Sequence, residues 1–288
     1  MVLKVDREAQ QGLKLISPTL IYVLLLLAAP LMMVITFSFW TQDYLTIDTT
    51  LTLANYKEAW GTPIYQVLMW RSLKISLIVT VVTVLLAFPV AYFLSFHVTK
   101  RKALWLFLIT VPFWTSYLLR VFLWKVILGY NGVLNSALLG LGFIDAPLTF
   151  ILYNLNAVVI TLAHAWAPFA ILPIFVALEK IDRSLLEAAN DLGDRPVRRF
   201  FRITLPLAMP GIVAAALIVL IPTVGDFITP RLVGGTDGLM IANMIQIQIG
   251  KANNAPLGAA LAVTSMLVIG LISVVIFLVG KKLGGRVR

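Results

Sequence analysis

The sequence has no cysteine and only two histidines in 288 residues. The first absence excludes disulfides, zinc–thiolate sites and cysteine nucleophiles. The second leaves His97 and His164, neither with a helical partner at metal-ligand spacing, so each reads as a packing or hydrogen-bonding residue. Charge is also scarce, at 12% of the chain, and no two carboxylates fall inside one apolar run. That argues against a membrane hydrolase or a proton relay. The phosphate-cradling pattern G-x-x-x-x-G-K-[ST] is missing: the pairs Gly250–Lys251 and Gly280–Lys281 lack both the upstream glycine and the following hydroxyl residue. No catalytic group, metal or cofactor is therefore expected on this chain. Internal repeats, low-complexity tracts and domain linkers are absent too, so residues 1–288 read as one domain.

What is abundant is apolar sequence, 60% of residues with a mean hydropathy of +0.95. Runs of about 20 apolar residues mean helices that span a bilayer, whereas barrel strands would alternate. Six runs are predicted to cross: Leu15–Trp40, Leu73–Phe96 with a bend at Pro89, Ala103–Ile127 interrupted at Pro112, Asn156–Leu178 broken by Pro168 and Pro173, Pro206–Thr229, and Leu257–Gly280. The first continues through Phe37 and Phe39, too long for a cleaved leader, and reads as an anchor. Val133–Leu141 is too short to cross and is expected at the interface or re-entrant. The fold class is thus all-α, a polytopic membrane protein with six transmembrane helices.

The net charge of +10 invites a nucleic-acid reading, but its distribution argues otherwise. Sixteen of the 23 Lys/Arg lie in the amino-terminal segment, the loop after the second run, the segment Lys180–Arg202 and the tail. Six crossings put all of these on one side, and the positive-inside rule makes that side cytoplasmic, with both termini there. The basic excess is then a topology signal, with lipid rather than nucleic acid as its surroundings.

Glu187–Pro206, EAANDLGDRPVRRFFRITLP, is a charged insert in this apolar chain. A helix is expected to start near Asp182–Ser184, with the Ser184 hydroxyl and the Glu187 carboxylate forming a capping box. Ile181, Leu185, Ala188, Ala189 and Leu192 fall on one face at helical spacing. Gly193 accepts the left-handed conformation that ends such a helix. Asp194 is expected to cap a second short helix with Pro196 in its first turn and a basic face of Arg195, Arg198, Arg199 and Arg202. An elbow this short cannot bury its own apolar faces and needs a docking partner.

Two charges lie inside runs, where each costs a few kcal/mol unless paired or hydrated. Arg120 is about 26 Å along its helix from the cytoplasmic end, and Asp226 about 30 Å, so they share a depth. Asp226 reads either as an anionic point on a cation path or as a structural bridge to Arg120 or Arg231. Around Arg120 stand Trp114, Tyr117, Phe122, Trp124 and Tyr130. Trp124 and Tyr130 read as an interfacial belt, while Trp114 and Tyr117, deeper and following Pro112, are candidates to face a path and attract an ammonium.

Glu187-Ala188-Ala189, Gly193 and Ile203-x-Leu205-Pro206 match EAA-x3-G-x9-I-x-L-P at every fixed position. This resembles the signature of the membrane subunits of bacterial ABC importers with the type I permease fold. In that family the loop, here residues 179–205, is a coupling helix that docks on a cytoplasmic ATPase. Leu53-x-Asn55-Tyr56, Val111-Pro112-Phe113-Trp114-Thr115, Asn131-Gly132-x-Leu134-Asn135, Gly234-Gly235 and Leu239-Met240-Ile241 further resemble the spermidine/putrescine permeases over nearly the whole length. The resemblance implies a second, related permease subunit, two ATPase subunits that carry ATP and Mg, and a periplasmic binding protein, all at the bacterial inner membrane. Permeases of the same class for other organic cations, opines or amino-acid-like solutes share much of this framework. A self-sufficient channel or secondary transporter is the rival from another class. It is disfavoured by the coupling signature and by the lack of an inverted repeat.

Overall fold

The computed structural model describes residues 7–285. In chain order the elements are α1 (Arg7–Ser38), a hairpin of β1 (Thr41–Asp43) and β2 (Thr46–Asp48), α2 (Ala54–Gly61), α3 (Pro63–Phe96), α4 (Lys102–Thr110), a 3-10 turn (Val111–Trp114) and α5 (Tyr117–Leu128). Then come α6 (Val133–Gly140), a second 3-10 turn (Thr149–Ile151), α7 (Leu155–Glu179), α8 (Arg183–Asp191), α9 (Pro196–Arg199) and a π-helical turn (Phe200–Thr204). The chain ends with α10 (Leu205–Val224), α11 (Ile228–Val233), α12 (Ile241–Gly250) and α13 (Ala255–Gly284). Among the described residues six segments are long and apolar enough to cross a membrane: Lys14–Ser38, Pro63–Phe96, Tyr117–Gly140, Leu155–Glu179, Pro196–Val224 and Ala255–Gly284. Lys4, Arg286 and Arg288, which entered the charge asymmetry, lie outside the described residues.

The chain folds as two compact units. One holds the described residues through Thr62 together with Ile247–Thr264. Its polar contacts tidy the end of α1. The buried Asn55 side chain donates to the carbonyls of Ser38 and Trp40 at 3.1 and 2.6 Å, and the Tyr56 and Ser38 hydroxyls share a 2.7 Å hydrogen bond. The bond to Ser38 satisfies one of the carbonyls that a helix end leaves open. The antiparallel hairpin, which pairs Thr41 with Asp48 and Asp43 with Thr46, was not foreseen. Its loop Tyr44 carbonyl accepts from Asn253 Nδ2 at 3.2 Å, and the Gln42 amide oxygen accepts from Ala255 N at 3.1 Å.

The other unit, Pro63–Gln246 with the residues from Ser265 onward, is built on α7 packed between α3 and α10. Small residues let these helices approach closely: Ala157, Ala163, Ala165 and Ala170 on α7, and Ala208, Gly211 and Ala215 on α10, are buried. A Cβ added at Gly211 would sit 2.5 Å from the Ala177 Cβ and from the Pro173 carbonyl. On α3 the hydroxyls of Ser72, Thr80 and Thr83 donate to carbonyls one turn back, at 2.6–2.8 Å, which hides polar groups in an apolar core.

Two expectations about the spans need correction. The fourth is not broken: α7 runs unbroken through Pro168 and Pro173. With no water to take up a freed carbonyl, staying helical and losing single bonds costs less than leaving the helix. The third is interrupted at Pro112 as expected, inside the 3-10 turn, with the chain extended at Thr115 and Ser116. The segment long enough to cross, however, is Tyr117–Gly140 and not Ala103–Ile127, and it takes in most of the Val133–Leu141 run expected to be too short.

Candidate functional site

The elbow is formed by α8, α9 and the π-helical turn. Its first cap differs from the expected one: Asp182, not Ser184, is the capping residue, its Oδ1 accepting from Ser184 N at 2.9 Å. That bond holds the Asp182 carboxyl below its ordinary range. The Glu187 side chain does not reach back, so the capping box is absent and Glu187 stands exposed beside Ala188. Gly193 has φ +81°, with Gly193 N donating to Asn190 O and Asp194 N to Ala189 O, both 2.9 Å. This is the Schellman ending, in which a left-handed residue returns two amides to the last turn. Nothing lies within 4 Å of a Cβ built at Gly193, so only its backbone angle demands glycine.

Asp194 does not cap α9, whose first residue is preceded by Arg195 without a side-chain cap. Instead its buried carboxylate accepts ion pairs from Arg198 Nε at 3.3 Å and Arg202 Nη1 at 3.4 Å. Arg199 Nη1 donates to Asn190 Oδ1 at 3.1 Å, tying α9 back to α8. Of the expected apolar face only Ile181 and Ala189 are buried; Leu185, Ala188 and Leu192 face outward, Leu192 being 86% exposed. Val197 and Phe201 are exposed as well, while Ile203, Leu205 and Pro206 are half-buried at the root of α10. No loop separates the elbow from the fifth span: Pro196–Val224 is one helical segment. It carries a π turn in which Leu205 N donates to Phe200 O, five residues back.

At the far end of that segment lies a polar node. Asp226, 8% exposed, follows α10 and caps α11, its Oδ1 accepting from Ile228 N at 2.9 Å and Thr229 N at 3.3 Å. Its Oδ2 accepts from the Tyr117 hydroxyl at 2.6 Å, and that hydroxyl also shares a 2.7 Å bond with Thr229 Oγ1. Neither expected bridge forms: among the described residues Asp226 pairs with neither Arg120 nor Arg231. The carboxylate is satisfied by amides and hydroxyls that no charge-counting rule points to.

Arg120, 9% exposed, lies one turn beyond Tyr117 on α5. Its guanidinium stacks on the Phe113 ring at 4.7 Å and donates no hydrogen bond to a described residue; its Nε is buried and unpartnered. His164 Nδ1 accepts from Trp124 Nε1 at 3.1 Å, which holds the half-buried Trp124 ring against α7. Trp114 is 75% exposed and stacks edge-on with Phe107, away from the node that Tyr117 enters. The structure therefore brings Tyr117 and Asp226 together and leaves Trp114 out. Thr229 and the cap of α11 were missed, although Asp226-x-x-Thr229 ahead of a short apolar run is a readable cap pattern.

The motifs that carry the spermidine/putrescine likeness act as scaffold. Asn135, fully buried, donates to Gly129 O and accepts from Leu148 N, and the Ile241 amide donates to Ser72 Oγ at 2.7 Å. Among the described residues no group of His, Asp or Glu is placed to hold a metal.

Residues 17–288 match the family described as binding-protein-dependent transport system inner membrane component. The chain is 38% identical over 260 residues to the spermidine/putrescine transport system permease protein PotB of Haemophilus influenzae, covering 90% of each chain. It is 38% identical over 268 residues to PotB of Escherichia coli, covering 93% of this chain and 97% of that one. With the inner membrane ABC transporter permease protein YdcU of Escherichia coli it shares 35% over 248 residues, 81% of this chain and 78% of the other. Among solved structures, a chain of a bacterial ABC transporter involved in the import of the acidic polysaccharide alginate superposes with a TM-score of 0.69 at 16% identity, over 96% of this chain and 99% of that one. The same kind of transporter in complex with a pentasaccharide-bound periplasmic protein gives 0.71, also at 16%, covering 96% of both chains. At that identity the likeness concerns the fold.

Proposed function

This chain belongs to the family of binding-protein-dependent transport system inner membrane components, and on that premise we propose that it is the permease subunit of an ATP-driven importer of polyamines. The observation that carries the substrate class is the 38% identity to spermidine/putrescine permeases over at least nine-tenths of the chain. In this reading the elbow faces the cytoplasm, as do both termini. A second permease lies alongside, two ATPase subunits hold ATP and Mg, and a periplasmic binding protein delivers the solute.

The geometry supports a mechanical account. The elbow is stiffened internally by the Asp194 pairs and the Arg199–Asn190 bond, and it leaves Leu185, Leu192, Val197 and Phe201 uncovered. An apolar patch with a polar rim suits a protein groove. Closure of the ATPases would move this rigid knuckle, and Pro196–Val224, about 43 Å long at 1.5 Å per residue, carries the displacement to the Asp226–Tyr117–Thr229 node. Packed helices switch between discrete arrangements rather than deforming continuously. A second tie, Lys102 Nζ to the two Glu179 oxygens at 2.6 and 2.9 Å, joins the start of α4 to the root of the elbow.

The test is ATPase activity and solute uptake by the reconstituted complex with its binding protein, run across putrescine, spermidine, opines and amino acids. Polyamines are expected to stimulate hydrolysis and enter. Stimulation by another solute alone would sink the substrate class. Uptake by this chain without any ATPase would sink the importer reading.

A further inference from the structure

An open-sided cavity of about 190 Å³ lies beside Arg120, walled by Leu108, Pro112 and Phe113 on one side and His164, Pro168 and Ile171 on the other. One water needs only roughly 10–15 Å³ by this measure, so the space admits a side chain or a small organic group. Its polar lining supplies donors. Arg120 is buried, positively charged and engaged only by the Phe113 ring face. His164 accepts at Nδ1 from Trp124, which in the neutral ring places the proton on Nε2 and makes that atom a donor as well.

A guanidinium inside a membrane needs an anion or water. Among the described residues, the crossing segments have no free carboxylate to give it. Glu179 is the one acidic residue within the six crossing segments, and its oxygens are taken by Lys102 and Ser95. Asp226, just past the fifth segment, is taken by Tyr117 and the α11 amides. A transported solute is present only in passing, whereas an adjoining subunit is present throughout.

We propose that the cavity beside Arg120 receives a carboxylate side chain of the second permease, forming an intersubunit ion pair that completes the membrane interior. This rests on the importer reading only in requiring a second permease chain. It also explains how a polycation can pass a buried arginine: the pair presents no net charge.

The test uses the intact assembly. Arg120→Glu is expected to lower uptake at least tenfold, and one Glu or Asp to Arg replacement in the partner's crossing helices to restore it to within threefold. Should Arg120→Glu fail to assemble, the lack of native cysteine in this chain allows Arg120→Cys to be paired with Cys at each acidic position of the partner's helices. A short thiol-specific cross-linker should then join the two chains at one position. Wild-type uptake by Arg120→Gln with no cross-link at any position would overturn the pair. A raised half-saturation confined to carboxylate-bearing solutes would overturn it too, by placing the anion on the solute. The cross-link reads the pair whichever solute is carried, so a cross-linked assembly that ignores polyamines removes only the substrate class. A working assembly with no second kind of permease removes both readings.

Discussion

The elbow and the interior node both depend on charge, yet they are built on opposite terms. In the elbow, Arg198 and Arg202 have side chains 72% and 65% exposed and lean on a single Asp194, in surroundings where an ion pair contributes little. In the node, Asp226 and Tyr117 are 109 residues apart and meet in a core where an unmatched polar group is costly. Charge is cheap at the elbow and serves geometry and docking; inside, each charge must be individually satisfied. Stability should therefore respond to the interior, and coupling to the elbow.

The largest expected effect tests the interior half of this contrast. Asp226→Ala removes the acceptor for two amides and a phenol, at roughly 1–3 kcal/mol each, and should sharply lower the yield of folded complex in thermal-shift assays. Asp226→Asn keeps an oxygen for the amides and should fold while losing most polyamine uptake. Asn variants that transport normally would make the carboxylate purely a cap. Gly211→Ala comes next: with Ala177 and Pro173 in the way, α10 has to move from α7, an overpacking cost of about 1–3 kcal/mol.

Gly193→Val inverts the pattern. The space around it is free, so the cost is backbone strain of roughly 1–2 kcal/mol. Folding should survive while uptake separates from ATP hydrolysis, and a variant that remains fully coupled would break the contrast. Lys102→Gln, in a pair with side chains 23% and 43% exposed, should cost under about 1 kcal/mol. Smallest is the acid response of the elbow. Because Asp182 has a lowered pKa in the folded chain, its cap is fully effective above the ordinary carboxylate range and is lost as pH falls through the lowered value. Hydrogen exchange of the first α8 amides should therefore be flat, after correction for intrinsic rate, near neutral pH and rise only in acid.

The same division governs what the sequence made legible. Elements set by neighbours in the chain were readable: the apolar runs, the left-handed Gly193 and the elbow between them. Even there, Asp182 and Ser184 both suit the role of cap, and Asp182 holds it by accepting from the Ser184 amide. Elements set by distant contacts were not readable. Tyr117 answers Asp226 in place of a basic residue, Trp124 turns to His164, and Trp114 faces outward. Proline was over-read in α7, because a bilayer makes leaving a helix costlier than water does, while at Pro112 the expected interruption is there. The family-like motifs were visible, but Asn55, Asn135 and Ile241 hold backbone together and say little about what is carried.

The five-residue π turn at Phe200–Thr204 inserts one extra residue into an otherwise regular rod. One residue is about 100° of rotation, so the stripes on its two sides are out of phase. At the start of the turn Phe200 seats edge-on against Phe88 at 5.6 Å, and the next residue, Phe201, is exposed. The turn works as a fixed swivel: one continuous backbone presents its grip to the membrane interior along one bearing and to whatever drives it along another.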